Sequence, residues 1–254
     1  MKTGFFLTAR LGSTRLPRKH LLEAAGEPLL GVLAQRILSA FASEVRSGEA
    51  MVAVVTSDEQ ENRAFERFAA MGVKVFYGAV DNIPLRHHQA ARHFGVEAVA
   101  AVDGDDILCS PEAMRVVRET LRKSAEYAST SGLPLGMNAF GYRSKFLAES
   151  VAGNERRTLE TGWGHIFDKS RLVERHLELG LEVPGNLRFT LDYPEDYAFF
   201  KAIVEHFGDA IARASDRDIV ACVLEQKLNK LTDPVAEKYW ENFRSAQAEE
   251  IRRA

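Results

Sequence analysis

The chain has 254 residues, 46% of them hydrophobic and 27% charged, and a formal net charge of −3. That length buries a full core, the composition excludes a disordered chain, and the near-neutral balance excludes the broad basic face of a nucleic-acid protein. No run of roughly twenty apolar residues occurs, the N-terminus is too polar for a signal-peptide core, and Cys109 and Cys222 lie far apart without metal spacing; we therefore expect a cytoplasmic, non-membrane protein.

Residues 4–9 read as a buried strand that runs straight into a loop carrying Arg10, Arg15, Arg18 and Lys19. From Met1 to Leu22 there is no Asp or Glu, so positive charge is concentrated there although the whole chain is slightly acidic. A loop that leaves a strand, turns at Gly12 and Ser13 and enters a helix points backbone N–H groups at an anion. Guanidinium and ammonium groups add charge-assisted hydrogen bonds. Such a loop suits a polyphosphate.

Pro28 then opens a helix expected to reach about Arg46, with Leu29, Leu33, Ile37 and Phe41 on its apolar stripe. Residues 51–56 have the length and composition of a buried parallel strand, and Ser57 or Asp58 can cap a helix from about Glu59 to Met71 that Gly72 ends. A third strand spans 73–77, a helix Ile83 to Phe94, and a fourth strand 97–102 delivers Asp103-Gly104-Asp105-Asp106. Ser110-Pro111 starts the next helix, to about Ser124. His87, His88 and His93 do not share a helical face and read as surface residues.

Strand and helix alternate to this point, which predicts an α/β fold with a mostly parallel, doubly wound sheet whose site lies at the strand carboxyl ends. From Glu126 to Leu187 the rhythm weakens, and the segment reads as an inserted lobe or substrate lid. In Thr161-Gly162-Trp163-Gly164-His165 the tryptophan can stack on a sugar or base, or simply be buried in a turn. Residues 188–191 read as another short strand, ending at Asp192 before a helix from Pro194 to about Phe207. Two more helices follow, near 216–227 and 234–252; Val235, Tyr239, Phe243 and Ala246 of the last read as a core or dimer stripe. We expect one domain over 1–254, with a nucleotide part of about 1–125, the lobe of about 126–187 and a return segment of 188–254.

Asp105 and Asp192 each follow a strand, so both can reach the edge that holds the basic loop. Alone, each suits a cap or turn; beside the loop, the pair suits Mg²⁺, which takes one or two carboxylates and completes its octahedron with water and phosphate oxygens. The chain has no G-x-x-x-x-G-K-[ST], no G-x-G-x-x-G and no G-x-S-x-G. Without a candidate covalent nucleophile, direct displacement at phosphorus is the economical chemistry. Asp103-Gly104-Asp105 also fits the Asp-x-Asp motif of a metal-dependent glycosyltransferase, and a non-catalytic nucleotide-binding protein is a further alternative.

Ala9-Arg10-x-x-Ser13-x-Arg15-Leu16-Pro17-x-Lys19 resembles the N-terminal signature of the cytidylyltransferases that make CMP-sugars, a family that includes acylneuraminate, CMP-Kdo and spore-coat polysaccharide enzymes. Val75-Phe76-Tyr77-Gly78 with Asp81 and Arg86, then Gly104-Asp105, then Asp192-x-Pro194-Glu195-Asp196 are similar to its later landmarks in the same order. The resemblance implies a Rossmann-like nucleotide-diphospho-sugar transferase fold, CTP as donor, a sugar acid as acceptor and a homodimer. It implies that Arg10, Ser13, Arg15 and Lys19 bind the triphosphate and that backbone near Thr8, Ala9 and Asp58 meets the cytosine. It further implies that Asp105 and Asp192 hold Mg²⁺; on physical grounds Arg10 and Lys19 would stabilise charge, and one of the metal-bound groups or Asp103 would help deprotonate the attacking hydroxyl. The chain departs from the pattern at Arg18, where the family has Gly, at Ile107, where it has Pro, and at Asp103, where it has Gln or Arg.

Overall fold

A computed structural model describes residues 1–253, apart from the side chains of Ile251 and Arg253. The centre is β1 (Thr3–Thr8), whose alternation sends Phe5 and Leu7 to one face and Phe6 to the other, all fully buried. After the basic loop, a two-residue hairpin of β2 (Glu23–Ala24) and β3 (Glu27–Pro28) leads into α1 (Leu29–Ala40) and α2 (Ala42–Arg46). The single helix expected here breaks at Phe41 (φ −118°, ψ 28°), whose buried ring turns inward to pack 4.2 Å from Phe5.

The chain continues through β4 (Ala50–Ser57), a run of tight 3-10 turns over Gln60–Met71, β5 (Lys74–Gly78), α3 (Ile83–Phe94), β6 (Ala98–Asp103) and α4 (Pro111–Lys123). Ser110 Oγ caps α4 as the sequence signals, accepting from Ala113 N, and Gly72 and Gly95 close their turns at positive φ. The cap expected of Ser57 or Asp58 does not form, since Glu59 precedes the 3-10 turns without a side-chain cap bond, and Asn82, unsignalled, caps α3 by accepting from Leu85 N. Next come β7 (Tyr127–Ser131), β8 (Phe140–Arg143), α5 (Ser144–Val151) and β9 (Leu172–His176), then α6 (Pro194–Phe207), α7 (Asp216–Glu225) and α8 (Ala236–Arg253).

The seven-stranded sheet has the order β5-β4-β1-β6-β8-β7-β9. The four strands from β5 to β6 are parallel, β8 is antiparallel to both neighbours, and β9 runs parallel to β7. Residues 126–187 thus contribute three strands to the main sheet instead of standing apart as a lobe. From β1 the chain winds outward through β4 and β5 and returns to β6 on the other side, so the loops after β1 and β6 diverge and open a crevice at their carboxyl ends.

The expected strand at 188–191 is an extended segment outside the sheet. The flank of β6 it would need is taken by β8, and it crosses the sheet end instead, with Phe189 N donating to Leu135 O and Leu191 N to Asp105 O. Three buried clusters hold the layers together, and the largest packs Phe5, Leu33, Ile37, Phe65 and Val117. Among the described residues no helix is long and apolar enough to cross a membrane.

Candidate active site

The crevice is a cleft of about 580 Å³. Its lining includes nine of the ten expected site residues: Thr8 at the end of β1, Ala9, Arg10, Ser13, Arg15 and Lys19 after it, Asp103 at the end of β6, Asp105 after it, and Asp192. Asp58 is the exception. Buried Ser57, held by Asn62 Nδ2 at 2.9 Å, ends β4 so that Asp58 turns outward to pair with Arg63 at 2.6 Å, away from the cleft.

Lys19 is the junction. It opens a short 3-10 turn, Lys19–Leu21, and is itself buried. Its Nζ donates to Asp105 Oδ2 at 2.7 Å and to Asp192 Oδ1 at 2.9 Å, while Arg15 Nη2 donates to the same Asp192 oxygen at 2.8 Å. Burial opposes the charge on Lys19, but the two carboxylates outweigh it and raise its pKa above the ordinary lysine value.

Each aspartate is placed by a specific backbone contact. Gly104 N donates to Thr8 O at 2.7 Å, and a Cβ there would meet that oxygen at 2.8 Å, so only glycine lets the loop after β6 lie against β1 and present Asp105. Asp192 is fixed from behind, because Asp196 Oδ2 accepts from the backbone N–H of both Asp192 and Tyr193 at 2.9 Å. Asp196 in turn forms a buried ion pair with Arg188.

Carboxyl groups are crowded on this floor. Burial first, and then the charge of Asp105, pushes Asp103 up to about 7; burial and both neighbouring aspartates push Asp106 well above the usual carboxylate range. His20, buried beside Lys19, is held down to about 3 and stays neutral. No cluster of three or more metal-ligating side chains occurs among the described residues. The pair Asp105 and Asp192 nevertheless fits Mg²⁺: two hard carboxylate oxygens already share one cation, the Lys19 ammonium.

Trp163, which the sequence offered as a stacking or a buried residue, lies at the cleft and is buried among His87, Phe140 and Phe167. Three features escaped the sequence. Glu160 pairs with Arg10 across the cleft mouth. His87 is no surface residue: it is fully buried and joins Thr8 Oγ1 (2.9 Å) to the Tyr142 hydroxyl. Tyr239 and Phe243, expected to be core or dimer packing, line the cleft from α8 together with Trp240 and Asn242. The only signal for them was the aromatic content of the last helix. Arg86, one of the landmarks, also lines the cleft, but its guanidinium is committed to the carbonyls of Ala79 and Val80.

A doubly wound sheet whose switch-point cleft sets a basic loop against paired carboxylates defines a nucleotidyltransferase-like protein. The family model described as Cytidylyltransferase matches residues 5–156. The chain belongs to the cytidylyltransferase family and is a nucleotidyltransferase; the glycosyltransferase alternative is thereby set aside. It is 25% identical over 244 residues to the spore coat polysaccharide biosynthesis protein SpsF of Bacillus subtilis (strain 168), covering 92% of this chain and 97% of that one. It is 31% identical over 135 residues to the 3-deoxy-manno-octulosonate cytidylyltransferase of Aeromonas salmonicida (strain A449), covering 51% of this chain and 49% of that enzyme. A solved cytidylyltransferase from Leptospira borgpetersenii superposes with a TM-score of 0.75 at 21% identity, covering 90% of this chain and 96% of that one, a likeness of fold.

Proposed function

We propose that the protein transfers CMP from CTP to a sugar acid of the 3-deoxy-ulosonic or nonulosonic type, releasing pyrophosphate in an Mg²⁺-dependent reaction that serves surface polysaccharide synthesis. The observation that carries the proposal is the meeting of Arg15 and Lys19 with Asp105 and Asp192 in one cleft. The names of the Bacillus and Aeromonas relatives support the sugar class and the pathway.

In this proposal Arg10, Ser13, Arg15 and Lys19 bind the triphosphate, and the backbone at Thr8 and Ala9 meets the cytosine. Asp105 and Asp192 would hold Mg²⁺, which when bound neutralises phosphate charge as a Lewis acid. An acceptor hydroxyl oxygen forms a bond to the α-phosphorus, and the bond from that phosphorus to the bridging oxygen breaks. The electron pair leaves with pyrophosphate, and the hydroxyl proton passes to a carboxylate of the floor, for which Asp103 is placed. Arg10 and Lys19 stabilise charge on the departing phosphates. Such fixed charges supply most of the catalysis where no covalent intermediate forms.

The test is pyrophosphate release with Mg²⁺, each of the four nucleoside triphosphates in turn and a panel of 3-deoxy sugar acids. Release with CTP and at least one sugar acid supports the proposal. Release only with a different nucleotide, or only with sugar phosphates, contradicts it.

A further inference from the structure

We propose that the aromatic face of α8 is the acceptor-binding wall of the cleft, with Trp240 and Phe243 selecting a sugar that presents an apolar ring face or an acyl or deoxy substituent; this rests on the CMP-transfer proposal above. The helix lies beyond residues 5–156, the part matched as cytidylyltransferase, and is free to differ with the acceptor. It is pinned along its length. Asn242 Nδ2 donates to the Tyr193 hydroxyl at 2.6 Å, beside Asp192, and Glu250 Oε1 accepts from the backbone N–H of Glu160 and Thr161 at 2.9 and 2.6 Å.

Around the first of those anchors Tyr239, Trp240 and Phe243 form one cluster on the cleft, with ring centroids 5.2 to 6.4 Å apart. Trp240 remains 42% exposed, a large apolar surface left open beside a polar site. The charges are divided: among the described residues, the cations that line the cleft are Arg10, Arg15, Lys19 and Arg86, and none is on α8. Phosphates and the acceptor's own carboxylate are drawn to the loop after β1, and the opposite wall is left to the uncharged face of the acceptor. That wall is mostly ring surface, with the Tyr239 hydroxyl, the Trp240 N–H and the Asn242 side-chain carbonyl as its few polar groups. A face rich in hydroxyls would find few partners there, whereas C–H groups or an acyl methyl pack against the rings.

The experiment compares the parent, Trp240→Ala and Phe243→Leu in CMP transfer to a matched pair of 3-deoxy sugar acids, one fully hydroxylated and one N-acetylated. We expect the parent to prefer the N-acetylated acid. Trp240→Ala should raise the KM for it at least tenfold and erode the preference, Phe243→Leu should act in the same direction, and the KM for CTP should stay within twofold. An unchanged acceptor KM in both variants overturns the proposal, as does an equal rise in the KM for CTP, which would place the cytosine against α8. If the parent transfers CMP to neither acid, the transfer proposal is decided by the wider panel above. The wall is then judged by tryptophan emission during titration with the same acids in the presence of CTP. A change in the parent that Trp240→Phe abolishes supports it, and no change, or one that Trp240→Phe retains, overturns it.

Discussion

At the scale of single residues, two positions show why the family pattern has the form it does. Arg18 sits at φ 53° and ψ 29°, in the left-handed region that favours glycine, and this is the position where the resemblance implied Gly. Arg18→Gly removes the Cβ conflict at the cost of a freer unfolded chain, so it should raise stability by up to about 1 kcal/mol. Urea denaturation checks this; a clear loss of stability would mean the Arg18 side chain contributes more than its backbone costs. Asp196 is the second. The motif around Asp192 was legible in sequence, but the reason for its last member is tertiary: Asp196 neutralises buried Arg188 and caps the turn that aims Asp192. Asp196→Asn should lower the unfolding free energy by about 3–5 kcal/mol, as expected when one partner of a buried ion pair is removed. A change below about 0.5 kcal/mol would show that the pair is dispensable.

At the scale of elements, the parts that local rules govern were readable. β1, β4, α3, β6 and α4 follow from apolar runs, side-chain caps and Pro or Gly punctuation. The failures are places where a distant neighbour decides. The alternating segment 188–191 looks like a strand until β8 occupies the edge it would join, and the Phe41 break in the first helix depends on a ring in β1. His87 escaped because its partners, Thr8 and Tyr142, come from β1 and β8. It fastens α3 to the sheet as a neutral ring, since burial, and then Arg86, hold its pKa down to about 3 from 6.5. The unfolded chain takes up this proton below about pH 6.5 and the folded one only near pH 3, so the contribution is whole above 6.5 and lost as pH falls through that window. The expected slope is about 1.4 kcal/mol per pH unit. His87→Gln removes the titration, and the stability gap between parent and variant should therefore shrink from pH 7 to pH 4. A gap that does not vary with pH would contradict the buried neutral histidine.

At the scale of the whole molecule, the winding of the first 124 residues fixes where a ligand sits, because the loops after β1 and β6 part at the switch point. The basic loop and Asp105 could be placed on that edge from sequence alone. Asp192 was also expected there, but its route, an extended segment bonded to the Asp105 and Leu135 loops instead of a strand of the sheet, was not legible, nor was the descent of α8 onto the cleft. Both rest on contacts between segments some fifty to ninety residues apart, invisible to periodicity and motif spacing. The shared use of Lys19 by two remote aspartates is the feature on which catalysis is proposed to rest, and a double-mutant cycle of Lys19→Ala and Asp192→Asn on CTP-dependent pyrophosphate release tests it most directly. Each single change should lower kcat by roughly 10²–10³-fold. If the two residues act on one phosphate chain, the double variant should be little worse than the poorer single, a coupling above about 1 kcal/mol; losses that simply multiply would contradict it.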